Sequence, residues 1–142
     1  MMRVLLDTDV ILDVFLKREP FAEAAAELWR ANEQGLYEGY VSAITPVNLF
    51  YVARKIKDAT VAHAAVTELL VAFHVCPIDR LTLQSALALS FRDYEDAVQH
   101  MSAAASQLDA IVTRDAQDYA QATLPILSPM DFLKQIASRA DR

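Results

Sequence analysis

The stretch Met1–Asp13, MMRVLLDTDVILD, decides how the rest of the chain is read. Val4-Leu5-Leu6 is a short apolar run with a β-branched residue, which fits a strand buried on both faces as in a parallel sheet; periodicity alone does not separate so short a run from buried helix. Asp7 follows at once, then Thr8, Asp9, a second apolar run Val10-Ile11-Leu12, and Asp13. In open α/β sheets ligands bind at the carboxyl ends of the strands, so a carboxylate at the tip of the first strand is a candidate for chemistry. An Asp that ends a buried strand gains little there without a ligand.

Outward from this stretch, strand and helix signals alternate. Pro20 suits a first helical turn, and Phe21, Ala24, Ala25, Leu28 and Trp29 share a helical face that Gly35 ends. Tyr37 to Ser42 reads as a second strand. Thr45-Pro46 reads as an N-cap with Pro at the first helical position, opening a helix to about Asp58, and Thr60 reads as the cap of another through Phe73. His74 to Ile78 is a third strand, which Pro77 places near a sheet edge. Asp79 caps a helix from Arg80 to Leu89, and after a break Asp93 precedes the amphipathic pattern Tyr94, Ala97, Val98, Met101, Ala104, Ala105. Asp109 to Thr113 is a fourth strand, followed by Arg114-Asp115, and Pro125 to Leu127 a fifth. Ser128-Pro129-Met130-Asp131 is a capping box opening the last helix, with a frayed tail from Ser138 to Arg142. This alternation predicts a three-layer α/β sandwich with a central parallel sheet of four or five strands, residues 1–142 forming one domain.

Composition narrows the function. Apolar residues at 54% and charged ones at 23% fit a globular chain, no apolar run is long enough for a membrane span, and the start lacks a secretory signal, so a cytoplasmic protein is expected. The single cysteine, Cys76, reads as a small buried hydrophobe. Only Gly35 and Gly39 are glycines, which removes the dinucleotide fingerprint and the P-loop. A formal net charge of −6 argues against general adhesion to nucleic acid and leaves open a local acidic site neutralised by metal ions.

The right-handed crossover rule says which side chains can meet. A helix that returns from the carboxyl edge of the sheet begins at that edge. The helix feeding the fourth strand therefore brings Glu95 and Asp96 to the side of Asp7, Asn48 arrives there by the same reasoning, and Asp115 lies just beyond the tip of the fourth strand. Asp109 falls at the far edge and is excluded. Clustered carboxylates without Cys or His partners favour hard divalent cations, Mg²⁺ or Mn²⁺. Simpler roles remain open: Asp93, Asp13 and Asp79 read as helix caps, Asp96 could complement a helix N-terminus, Asp9 and Asp115 could also be structural, and His63, His74 and His100 read as surface or packing residues. Arg54, Lys55 and Lys57 form a solvated helix face or, alternatively, a contact to a nucleic-acid backbone.

LLDTDVILD, VSAITPVNLFYVARK, DYEDAVQHMSAAA and AIVTRDAQDY, in that order, resemble the pieces of PIN-domain ribonucleases, the family containing the VapC-like toxin half of many bacterial toxin-antitoxin pairs. The resemblance implies metal-dependent cleavage of RNA and a small antitoxin partner. It assigns metal ligation to Asp7, Asp96 and Asp115, with Thr113 preceding the last. Asn48 stands where the family usually carries an acidic residue; its amide oxygen can ligate a hard cation but brings no charge. Asp9 stands where the family more often has Asn and could replace some of that charge. Two rivals stand beside this reading. Asp7-Thr8-Asp9-Val10 also resembles the opening of haloacid-dehalogenase-type phosphatases, although no glycine follows Gly39 to supply their later Gly-Asp pair. A PIN-like module that binds RNA or protein without cleaving it is the other. Apolar faces between residues 47 and 73 predict a homodimer.

Overall fold

The computed structural model describes residues 1–119 and 121–140. The sheet has five strands, all parallel: β1 (Arg3–Leu6), β2 (Glu38–Ser42), β3 (His74–Cys76), β4 (Ala110–Val112) and β5 (Ile126–Leu127), in the order β3-β2-β1-β4-β5. β1 is central, with Leu5 in register with Tyr40 on one side and Ile111 on the other.

Successive side chains of a strand point to opposite faces, and here each face has its own core. Val4, Leu6 and Val112 pack with α1 (Thr8–Leu16), α2 (Ala22–Glu33), α3 (Ile44–Ile56), α4 (Ala59–Ala72) and α7 (Pro129–Ala140), through Ile11, Leu28, Leu49, Leu69 and Phe132. Leu5 and Ile111 pack on the other face against Cys76, Ala103, Leu108 and Tyr119, beneath α6 (Tyr94–Ala105). α5 (Arg80–Leu87) joins α6 through Ala86, Ala97 and Val98. Burial on both faces explains why β1 and β4 read as unbroken apolar runs. The expected three-layer α/β sandwich with a parallel sheet is the fold observed. No helix among the described residues is long and apolar enough to cross a membrane.

Several local expectations are corrected. The second apolar run, Val10-Ile11-Leu12, belongs to α1, which begins one residue beyond Asp7. Asp7 is therefore also its N-cap, accepting from Asp9 N at 3.3 Å, and has a structural role that the strand-end argument missed. Pro20 lies in the turn before α2. α3 starts at Ile44, so Thr45 is no cap; it is fully buried and its hydroxyl pairs with that of Thr8 at 2.8 Å. Asp58, not Thr60, caps α4, with Oδ1 accepting from Val61 N at 2.8 Å. Asp79 and Ser128 do cap their helices, accepting from Thr82 N and Asp131 N. Asp13 is no cap but a buried partner of Arg114. Of the tail expected to fray, Ser138 to Ala140 are helical, and residues 141–142 lie outside the described residues.

Gly39 shows how closely β2 approaches its cover. A Cβ there would sit 2.5 Å from Phe73 Cε1 and 2.8 Å from Asn32 Oδ1, the atom that accepts from Gly39 N. Phe73 is itself wedged edge-on against Trp29. Gly39→Ala is expected to cost roughly 1–3 kcal/mol of stability, since neither ring can retreat without overpacking the core. Chemical denaturation checks this, and an unchanged midpoint would refute the close approach.

Candidate active site

Asp7 leaves the tip of β1 into a buried network. Thr113, just past β4, donates its hydroxyl to Asp7 Oδ2 at 2.8 Å. Gln99, from the buried side of α6, donates from Nε2 to Asp7 Oδ1 and to the Tyr119 hydroxyl, both at 3.2 Å. Its Oε1 accepts from Thr8 N at 3.1 Å and from Thr8 Oγ1 at 3.2 Å. With every atom of that amide engaged, Gln99 has one orientation and fixes the Asp7 carboxylate. Tyr119 passes the network on to Asp96 Oδ1 at 3.4 Å.

Asp96 enters from the first turn of α6, whose N-cap Asp93 accepts from Asp96 N at 3.1 Å. Glu95, beside it, accepts from Asn48 Nδ2 of α3 at 2.8 Å. Asp7, Asp9, Asn48, Glu95, Asp96 and Asp118 all line one cleft of about 340 Å³. The topology thus gathers Asp7, Asp96, Asn48, Glu95 and Asp9 at one sheet edge. Asp115 is placed differently. Its backbone N donates to Thr113 Oγ1 at 3.1 Å, which puts it two hydrogen bonds from Asp7, but its side chain does not line the cleft. Asp118, three residues on in the short 3₁₀ turn Ala116–Tyr119, does. Asp109 lies at the opposite edge, accepting from Arg3 N at 2.8 Å.

Asp118, Gln99 and Tyr119 were not singled out in the sequence, and Thr45 was read only as a helix cap. Gln99 and His100 carried the clearest signal: two polar residues inside the amphipathic stretch of α6, both buried in the structure. His100 is a packing residue, with Nε2 3.1 Å from Thr123 Oγ1. Asp9 forms a partly exposed ion pair with Arg18 at 3.5 Å.

The cleft holds more negative charge than it neutralises. Burial pushes the Asp7 carboxyl up, against the hydrogen bonds from Thr113 and Gln99. Asp96 is pushed up to about 7, by burial first and then by Asp7, Asp93, Asp118 and Glu95. Glu95 is raised by burial, Asp93 and Asp7. The donors are all oxygens, the chemistry of Mg²⁺ or Mn²⁺, and a cation would offset both the burial that raises these carboxyls and the smaller repulsion among them. Among the described residues no three His, Cys, Asp or Glu side chains already stand at ligand spacing.

A pH dependence follows. A carboxyl whose folded pKa lies above its unfolded value stabilises the fold least once it has ionised, so metal-free stability contributed here falls as pH rises from roughly 4 through about 7. His100, held below its ordinary value by burial, acts in the opposite direction on the acid side. The comparison that isolates the site is wild type against Asp96→Asn in chelator: the wild-type melting temperature should drop more between about pH 6 and pH 8 than that of the variant. Parallel curves would show that Asp96 ionises normally.

The PIN domain family matches residues 3–117. No curated protein matches the chain. Among solved structures, DNA-bound VapBC from Salmonella typhimurium is similar at a TM-score of 0.71 and 19% identity, covering 91% of this chain and 99% of that one. VapBC2 from Rickettsia felis, bound to a promoter DNA fragment, gives 0.68 and 15%, covering 89% and 98%. VapC20 from Mycobacterium tuberculosis, described as a Sarcin-Ricin loop cleaving toxin, gives 0.67 and 13%, covering 83% and 94%. These likenesses establish a shared fold, and the family match extends over most of the sequence, from β1 to the first part of the turn that carries Asp118: the chain belongs to the PIN-domain family.

Proposed function

We propose that the chain is a metal-dependent endoribonuclease and the toxin of a toxin-antitoxin pair. The observation that carries this reading is the cleft, where Asp7 and Asp96 meet with raised pKa values and no cationic side chain among the lining residues. Family membership and the likeness to VapBC toxin-antitoxin complexes support it. Asp7 and Asp96 would hold the cation, with Asp115 or its cleft-facing neighbour Asp118 contributing, Asn48 nearby and Asp9 at the rim. A bound Mg²⁺ or Mn²⁺ supplies Lewis-acid polarisation of the phosphodiester and a more acidic water. The protein's own share is placement: Gln99 and Thr113 hold Asp7 rigid, and Tyr119 tethers Asp96. Because positions are set before substrate arrives, little reorganisation is needed at the moment of reaction.

Purified protein incubated with total RNA should cut it in Mg²⁺ or Mn²⁺ and stop in chelator. No cleavage under any of these conditions, together with retained RNA binding, would favour the non-cleaving PIN-like reading instead. The exposed apolar side chains Val47, Tyr51, Leu70 and Val71 along α3 and α4 support a homodimer and a masking antitoxin, and light scattering tests the first.

A further inference from the structure

Asn48 and Glu95 close one side of the cleft from different helices, the α3 amide donating to the α6 carboxylate at 2.8 Å. Resting on the nuclease reading above, we propose that Glu95 is the carboxylate that completes the cation site and that Asn48 is the positioning residue that aims it.

A carboxylate has no donor to offer, so the contact fixes the amide with its nitrogen toward Glu95 and its carbonyl oxygen turned away. An acidic side chain at position 48 would instead set two carboxylates against each other at the same place, which half-buried surroundings penalise. Positions 48 and 95 therefore hold one charge between them, and in this sequence it sits on Glu95. The environment also directs that charge. On one side the pair borders an apolar groove of about 210 Å³ lined by Ile44, Ile78, Leu83 and Val98; on the other it borders the cleft shared with Asp7 and Asp96. Apolar side chains on the groove side offer an ionised group no partner, so the polar surroundings of Glu95 lie on the cleft side, which it shares with Asp7 and Asp96. Its place in the first turn of α6 adds the favourable end of the helix dipole.

Calorimetric titration of Mn²⁺ into the full chain tests this, independently of RNA cleavage. Glu95→Gln keeps an acceptor for the Asn48 amide and should weaken Mn²⁺ binding about tenfold or more, while Asn48→Ala, which only frees Glu95 to swing, should weaken it less. The swap Asn48→Glu with Glu95→Gln puts the charge on α3 against an amide on α6 and should recover most of the lost affinity, which a merely structural role for either residue would not do. Wild-type affinity in Glu95→Gln, with binding lost in Asp7→Asn, would overturn the proposal and leave the nuclease reading standing. Absence of Mn²⁺ binding by the wild type would overturn the nuclease reading itself.

Discussion

Asp7→Asn should lower metal-dependent RNA cleavage by at least about 10²-fold and, in the same protein, raise the metal-free melting temperature near neutral pH. The two effects have one cause. Asp7 is a carboxylate whose burial disfavours its charge, so the folded state carries a penalty for keeping it ionised. Asn removes that penalty and keeps Oδ1 as the acceptor for Gln99 Nε2 and Asp9 N, and Asn is as good an N-cap for α1 as Asp; its Nδ2 replaces the oxygen to which Thr113 donates, so that hydroxyl has to turn and accept instead. The charge that would hold a cation is lost at the same stroke. Scanning calorimetry in chelator and a cleavage assay with Mg²⁺ or Mn²⁺ read the pair of effects. A variant that is both inactive and less stable would mean that Asp7 acts mainly as a structural cap.

The largest loss of stability is expected at the other end of α1. Asp13 is buried, with 1% of its side chain exposed, and its Oδ2 lies 3.0 Å from Arg114 Nε, a charge contact without hydrogen-bond alignment; Arg114 Nη2 donates to Oδ1 at 3.4 Å. Arg18 adds a weaker contact at 3.8 Å, and the Arg114 guanidinium stacks over Phe21 at 4.1 Å. Removing one member of a buried pair leaves its partner uncompensated, so Arg114→Ala should cost roughly 3–5 kcal/mol near neutral pH. Burial already raises the Asp13 carboxyl, and losing Arg114 raises it further above its unfolded value, so the deficit should grow as pH rises and shrink in acid, where Asp13 takes a proton. Denaturant midpoints at several pH values check this. Replacing both residues by apolar ones of similar volume should recover much of the loss, and a pH-independent deficit would point to lost stacking on Phe21 instead.

How far the sequence revealed this arrangement depended on which residues carried period and which carried contact. β1, β4 and α6 were legible because burial on both faces, or on one helical face, imposes a pattern on consecutive residues. The crossover rule then brought Asp7, Asn48, Glu95 and Asp96 to one edge without any knowledge of distances. α1 was not legible, because a helix that starts directly at a strand tip leaves no turn residues between them, and its apolar run continues that of the strand. That Asp118 lines the cleft while Asp115 does not was not legible, because spacing along a chain does not say which way a short 3₁₀ turn directs each side chain. Asp13 looked like a cap because its partner, Arg114, lies 101 residues away. Gln99 resisted for the same reason: its value lies in four hydrogen bonds to Asp7, Thr8 and Tyr119, and only the fold brings them within reach.

The central strand also sets an order of assembly during synthesis. β1 is made first and finds β2 within some forty residues, but its other neighbour, β4, and the Thr113 hydroxyl that holds Asp7 come 106 residues later. Domains emerge from the ribosome from the N-terminus onward, and such distant pairings form only when the later segment is available. A nascent chain halted before β4 therefore carries Asp7 and Asn48 with no Asp96-to-Tyr119 tether and no Thr113 anchor. Its cleft is completed only once the segment carrying β4, Thr113 and Tyr119 has been made, so the nuclease activity proposed above would be withheld from shorter nascent chains.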